Sequence, residues 1–498
     1  MKNPIKTGPF IPASLFMKNP YLTFLCSVPA ALIPALLTLV LAAEATASAQ
    51  VVTNSADSGP GTLRSAITNA ANGAVITFAP NLSGATITLA STLQVNTNLS
   101  IDASALPGGI QINGNGSVQI LNATSNITVF LNSLTLTNGF GLLGGGIQNA
   151  GILTLTNCIL SGNSAYADGG GIVNSGTAML NECALSGNSA RYGGGIYNVG
   201  STLTLTTCTL SGNSANSGGG ILNSDGTLAM TNCTLSANGG GGIANSGTVM
   251  LNQCTLSGNS ADYYDEFGGG GIYNDGTLTL NQCTLSGNRA NGGGGIYNYG
   301  SSGTVTMTNA IVAGNSSPLG ADIYNSGTVN YGGSNLVSSV YSDGVSITGP
   351  APLTSVPDLA PLGNYGGPTQ TMPPLPGSPA IGAGSVAANT FAADQRGYPR
   401  TQNGLIDLGA VELQSPAANP PVLESITVPA GGGANGLQFT FTNAPAADFT
   451  VLTATNVSLA LTDWTVLGEV QQVAPGQYQF TDPQAATNRV RFYRVRSP

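Results

Sequence analysis

Six cysteines, Cys158, Cys183, Cys208, Cys233, Cys254 and Cys283, follow one another at intervals of 25, 25, 25, 21 and 29 residues. Each closes a block that reads G-G-G-I-x-N, then G-T-L-T-L, then C-x-L-S-G-N. One copy runs from Gly193-Gly194-Gly195-Ile196-Tyr197-Asn198 through Thr202-Leu203-Thr204-Leu205 to Cys208-Thr209-Leu210-Ser211-Gly212-Asn213. The I-x-N element recurs at Ile147, Ile172, Ile196, Ile221, Ile243, Ile272, Ile296 and Ile323. Repetition at this length leaves a stack of near-identical units as the natural architecture, because one unit cannot bury its own apolar face.

Within a block the apolar period is two. Leu203 and Leu205 alternate with Thr202, Thr204 and Thr206, and Cys208 and Leu210 flank Thr209. That is the period of strands buried on one face. About 25 residues hold three short strands and three turns, so the chain is all-β, a right-handed parallel β-helix of about ten coils. Stacked at a strand spacing of about 4.8 Å, these coils make a rod roughly 50 Å long. Alignment on the cysteines gives the inward ladders. Five residues before Cys stand Leu153, Ala178, Leu203, Leu228, Val249, Leu278 and Val305; two after stand Leu160, Leu185, Leu210, Leu235, Leu256, Leu285 and Val312. A seventh coil has Ala310 at the cysteine position, which marks the site as small and buried.

The cysteine column reads as buried free thiols, since parallel Cβ vectors turn neighbours away from one another. Disulfides between neighbouring coils are the alternative in a secreted chain. A metal site would need closely spaced C-x-x-C pairs, which are absent. Two asparagine rows accompany the column: Asn163, Asn188, Asn213, Asn238, Asn259, Asn288 and Asn315 after the last strand, and Asn149 through Asn325 after the isoleucines. They read as left-handed turn residues whose amides bond from coil to coil, with a polar ligand-binding row as the alternative. The glycine runs are turn material; no Lys-Ser/Thr follows them to make a phosphate loop.

Composition removes several functions. The chain has no histidine, so it has no Ser-His-Asp triad and no histidine base or metal ligand. Charged residues are 7% of the total and the net charge is −9, so no basic patch exists for nucleic acid.

The ends differ from the centre. Residues 1–49 read as a signal peptide: Lys2, Lys6 and Lys18, an apolar run from Tyr21 to Leu41, and Ala47-Ser48-Ala49 before a cleavage after Ala49, with translation starting at Met1 or Met17. The uncleaved anchor is the alternative; the mature chain carries no later run long enough to span a membrane. Residues 50–73 form an N-terminal cap with a short helix after the N-cap Thr62, residues 74–342 the β-helix, 343–414 a Pro-rich C-terminal cap segment, 415–421 a linker, and 422–498 a small antiparallel β-sandwich-like domain.

Three late motifs, Gly377-Ser378-Pro379-Ala380-Ile381-Gly382, Asp394-Gln395-Arg396-Gly397-Tyr398-Pro399-Arg400 and Asp407-Leu408-Gly409-Ala410-Val411-Glu412, together with Asp322-Ile323-Tyr324-Asn325 and Gly366-Gly367-Pro368-Thr369, resemble the choice-of-anchor Q family of secreted bacterial β-helix proteins. The resemblance runs from about Val51 to Glu412. It implies secretion and a variable C-terminal unit for sorting or attachment. Gly382 stands where the family carries Asp, which speaks against a catalytic reading of that motif. The repeats are also similar to those of chlamydial polymorphic outer-membrane proteins, with S-G-N in place of F-x-x-N.

Many parallel β-helices cleave polysaccharides, and a Ca²⁺-dependent lyase needs several carboxylates and a base over one stretch of surface. The best candidates are Asp262, Asp265 and Glu266, inserted in the longest coil, with Arg289 one coil on. Asp394, Arg396, Arg400 and Asp407 are a second charged group, read either as a sugar site or as a salt-bridged network holding a loop. An ice-binding threonine array is broken by Met179, Ala229 and Met250. The sequence therefore points to a secreted or cell-surface, non-catalytic, adhesin-like rod. It needs no cofactor and would meet glycans or cell-surface components weakly and multivalently. A polysaccharide lyase or glycoside hydrolase is the alternative. Oligomeric state has no signature in the sequence.

Overall fold

A computed structural model describes residues 49–261, 268–414, 422–427, 437–442, 449–456, 459, 464–474, 477–482 and 491–496. The chain is a right-handed parallel β-helix of about eleven coils. Three parallel sheets run along it. The long-strand sheet has 13 strands, such as Thr202–Thr206; the T-L-S sheet has 11, such as Thr209–Ser211; the I-x-N sheet has 11, such as Ile196–Val199. Register is strict, because a slip of one residue would turn every leucine outward. Ala178 sits beside Leu203, which sits beside Leu228, and Leu180 beside Leu205 beside Met230. All six are fully buried, and each buried leucine contributes about 1.5–3 kcal/mol.

The cysteines Cys158 to Cys283 are free and buried in this core. Each thiol sits 3.2–3.4 Å from the carbonyl two residues back, as Cys183 does from Asn181 O (3.2 Å). The backbone N–H of Cys183 and of Cys208 donates to the sulfur of the next coil, at 3.4 and 3.3 Å. Where Ala310 replaces cysteine, its N–H donates instead to Asn335 Oδ1 at 2.9 Å.

The asparagine rows bond from coil to coil, as the sequence implies, but they do not supply the left-handed turns. Those fall on the residue before each cysteine and before Ala310 (Asn157, Glu182, Thr207, Asn232, Gln253, Gln282 and Asn309, φ 50–57°) and on the residue before each asparagine of the first row, glycine except at Ala237. The asparagines themselves point inward. Each Nδ2 of the first row donates to the next Oδ1, from Asn163 through Asn315 at 2.8–3.0 Å, and the row ends on Asp322 Oδ1 at 3.0 Å. The second row repeats this from Asn149 to Asn325 at 2.7–2.8 Å. Both rows are closed to solvent, so neither is a ligand-binding surface.

The second and third glycines of each triplet are there for a close approach. A Cβ on Gly194 would stand 2.4 Å from Ser214 O of the next coil.

At the N-terminus the strand Ala49–Val52 pairs with Ala74–Phe78, and the helix Leu63–Thr68 buries Leu63, Ala66 and Ile67. Thr62 caps it by accepting from Ser65 N at 3.3 Å. The residues read as a signal segment lie, except for Ala49, outside the described residues. The Pro-rich segment read as a C-terminal cap runs back along the side of the rod. After Leu353 adds a last rung beside Leu336, the chain returns over the T-L-S sheet. Ser385 meets Asn309, Asn389 meets Gln282, Ala393 meets Gln253, and Gln395 meets Thr255 and Thr234. Under this strap Thr234, Thr255 and Thr284 are buried, whereas Ile159, in the same row beyond its reach, is 43% exposed.

The C-terminal unit is a small antiparallel β domain of a four-stranded and a three-stranded sheet. Phe441, Phe449 and Tyr478 form its core, with edge-to-face contacts at 4.9 and 4.8 Å. Trp464 is buried as well and donates to Leu459 O at 3.2 Å. Phe439, Phe441, Phe449, Trp464 and Tyr478 are core, and Phe480, Phe492 and Tyr493 pack against it half-buried. The sequence reading missed the strands Val422–Thr427 and Gln471–Ala474.

Candidate functional site

Asp262, Asp265 and Glu266 lie outside the described residues. Arg289 is exposed, at the start of the short strand Arg289–Ala290 that pairs with Ser260–Ala261 and so runs beside the root of that loop. Among the described residues no group of three or more His, Cys, Asp or Glu side chains could hold a metal ion.

The second charged group is a buried lock on the strap. Asp394 accepts from its own loop, from Arg396 N at 2.9 Å and Tyr398 N at 3.1 Å, and pairs with the Arg396 guanidinium at 2.8 Å. Asp407 accepts from Gly382 N and Leu413 N, both at 2.7 Å. Arg400, fully buried, donates to Asp407 O at 2.8 Å and Gly409 O at 2.6 Å, and its Nε lies 3.8 Å from Glu412 Oε2. Burial lowers the Arg400 pKa and raises that of Asp407. Burial, with Asp407 alongside, pushes the Glu412 carboxyl up to about 8. Asp394, Arg400, Asp407 and Glu412 are buried and most of their hydrogen bonds go to the backbone of this segment, although Arg400 Nε and Nη1 find no hydrogen-bond partner among the described residues, so the arrangement serves to hold the loop. The half-buried Gly382, whose N–H donates to Asp407, is where the resemblance departs from its pattern.

The most distinctive surface is the outward position of the I-x-N sheet. Register places Gln94, Asn122, Gln148, Val173, Tyr197, Leu222, Ala244, Tyr273, Tyr297, Tyr324 and Tyr341 in one line along the rod. None of the eleven is charged. Amides begin the line, with Asn122 Nδ2 donating to Gln94 Oε1 at 2.8 Å. Beside this end lies a cleft of about 400 Å³ lined by Gln119, Phe140, Leu142 and Gln148. Tyrosines finish the line as a stacked column. Ring centroids are 5.7 Å apart for Tyr273–Tyr297, 4.8 Å for Tyr297–Tyr324 and 5.1 Å for Tyr324–Tyr341. Tyr299, from the following turn, packs 5.9 Å from both Tyr273 and Tyr297. Tyr324 Oη donates to Asp343 Oδ2 at 2.6 Å, and this bond, with burial, pushes its phenol up to about 12. The I-Y-N triplets at 272, 296 and 323 signal three of these tyrosines in the sequence. Tyr299 and Tyr341 carry no such signal, because a turn and an irregular final strand bring them in.

Fold and surface together define a right-handed parallel β-helix with a strapped side and an uncharged, tyrosine-ended face. The model for a right-handed beta helix region matches residues 172–349. No curated protein matches the chain. Among solved structures, ORF18 of Geobacillus virus E2 is similar with 8% identity and a TM-score of 0.34, over 90% of this chain and 76% of that one.

Proposed function

We propose that this protein is a secreted or cell-surface rod, adhesin-like and non-catalytic, of the choice-of-anchor Q kind, that contacts glycans or cell-surface components weakly and at many points. The observation that carries this reading is the uncharged line from Gln94 to Tyr341, which repeats one outward position per coil. A surface repeated in register adds weak contacts into avidity when the partner is itself repetitive. The signal-like segment 1–49 supports export, and the buried lock on the strap supports durability outside the cell. The test is binding to immobilised glycans and intact cells over a range of ligand densities, with reducing ends measured in parallel. Binding that steepens with density is expected. Binding independent of density, or chain cleavage, would refute the reading.

A further inference from the structure

The tyrosine end of this line has a chemistry of its own. Within the column Tyr273, Tyr297 and Tyr324 spend their ring faces on one another; Tyr297 is buried, and Tyr273 and Tyr324 are half-buried. Tyr299 and Tyr341 are different: each stacks on the column yet stays 46% exposed, leaving ring surface free. Tyr324, hydrogen-bonded to the exposed Asp343, lies between them in the column. Asp275, which accepts from Ser302 Oγ at 2.5 Å, lies by the turn that carries Tyr299.

We infer that this end is a binding site for a neutral polysaccharide laid along the rod axis, with Tyr299 and Tyr341 as stacking platforms and the Tyr324–Asp343 pair as a hydrogen-bonding group between them. The inference rests on reading the rod as a contact surface and names its ligand class. Tyrosine joins an apolar ring to a polar tip, which suits the apolar faces and hydroxyl rims of sugar rings. The charge pattern selects neutral chains. From residue 271 to 348 the only base is Arg289, while Asp275 and Asp343 flank the column, so uronates and sulfates meet repulsion with no cation in the line. The geometry selects a polymer: tyrosines repeat at the coil rise of about 4.8 Å, close to the length of one pyranose unit in an extended chain. An extended peptide would seek an open sheet edge, yet the strands Ile272–Asn274, Ile296–Asn298 and Ile323–Asn325 are paired on both sides.

The purified full chain is run in affinity gels containing xylan, galactomannan, mixed-linkage β-glucan or polygalacturonate. Retardation by at least one neutral polymer is expected, and none by polygalacturonate. Tyr299→Ala and Tyr341→Ala should each raise Kd about tenfold and Asp343→Asn several-fold, with circular dichroism and melting temperature unchanged because both rings are surface groups. Tyr166→Ala, which removes a 77% exposed ring from another strand, Ser164–Asp168, should leave Kd unchanged. Equal losses with Tyr166→Ala, or retardation by polygalacturonate alone, would overturn the inference. If the wild type binds and the two tyrosine variants bind as well as it does, this site falls while the contact reading stands. If no glycan or cell surface is bound, both fall.

Discussion

Replacing Asn213 by alanine tests what the interior asparagine row does. Its Nδ2 donates to Leu185 O and Asn238 Oδ1, both at 3.0 Å, and its Oδ1 accepts from Asn188 N at 3.0 Å and Asn188 Nδ2 at 2.9 Å. Two of the four partners keep another bond: Asn188 Nδ2 still donates to Leu160 O and Asn238 Oδ1 still accepts from Asn213 N. Of the other two, Asn188 N–H loses its partner in a dry core, at about 2 kcal/mol, and Leu185 O, which the parallel register also pairs with the next coil, loses its second donor, at about 1 kcal/mol. Roughly 1 kcal/mol returns because no side chain need be ordered, so the expected cost is about 2 kcal/mol. Guanidinium unfolding followed by circular dichroism gives the total, and hydrogen exchange at Asn188 N–H gives the local effect. Asn213→Asp adds a sign test. A carboxylate there can donate to neither Leu185 O nor Asn238 Oδ1, so the folded state holds the proton. The folded pKa then lies above the ordinary value of about 4, and stability falls as pH rises above it. Asp322→Asn should be mild, because at the end of the row Asp322 accepts two bonds from Asn315 on one oxygen that asparagine keeps. An Asn213→Ala variant within about 1 kcal/mol of wild type, with Asn188 exchange unchanged, would refute the reasoning.

The remaining predictions concern the thiols, the strap and the turns. All six core cysteines are free and buried, so none should react with an aromatic disulfide reagent at pH 8 until guanidinium is added; native labelling of any of them would contradict the ladder. Glu412, raised from 4.5 to about 8, holds a proton in the fold that the unfolded chain releases, so its contribution is present below pH 4.5 and lost as pH climbs to about 8. Glu412→Gln should flatten the melting temperature over that window, and an unaltered slope would refute the assignment. Thr207 is β-branched at φ 57°, where Asn stands in three of the equivalent turns; Thr207→Asn should add about 1 kcal/mol in guanidinium titration.

The interior was legible because a single period drives it: leucine, cysteine and isoleucine recur at fixed offsets, and the parallel register follows from keeping them inside. The asparagines were legible as rows and misread as turns, since the residues that take positive φ, Glu182, Thr207 and Gln253 among them, share a backbone position and no chemistry. The strap was legible as a composition change only. Its contacts, such as Gln395 with Thr234, join residues 161 apart, and no local pattern encodes such a pairing. The lock built from Asp394, Arg396, Arg400 and Asp407 followed the same logic: charge density marked these four, the structure added Glu412, and only burial separated a clasp from a sugar site.

Repetition inside the rod also gives a way to read its outside. The inward positions of each coil are held by core packing and by the asparagine rows, so they vary little: Ile147 through Ile323 are all isoleucine, and the asparagine two residues on never changes. The outward residue between them touches none of that machinery, and folding would accept almost any β-tolerant side chain there. Yet it passes from Gln94, Asn122 and Gln148 through Val173, Tyr197, Leu222 and Ala244 to four tyrosines in succession at 273, 297, 324 and 341, without one charge. A run of tyrosines at a position the core leaves free is not explained by the stability of the coils. Stacking of the tyrosines on one another accounts for part of their contribution, but two of the five stacked rings remain half exposed, and burial would have favoured covering them. That is the pattern the proposed contact surface requires, since a partner long enough to span several coils would meet the same group at each.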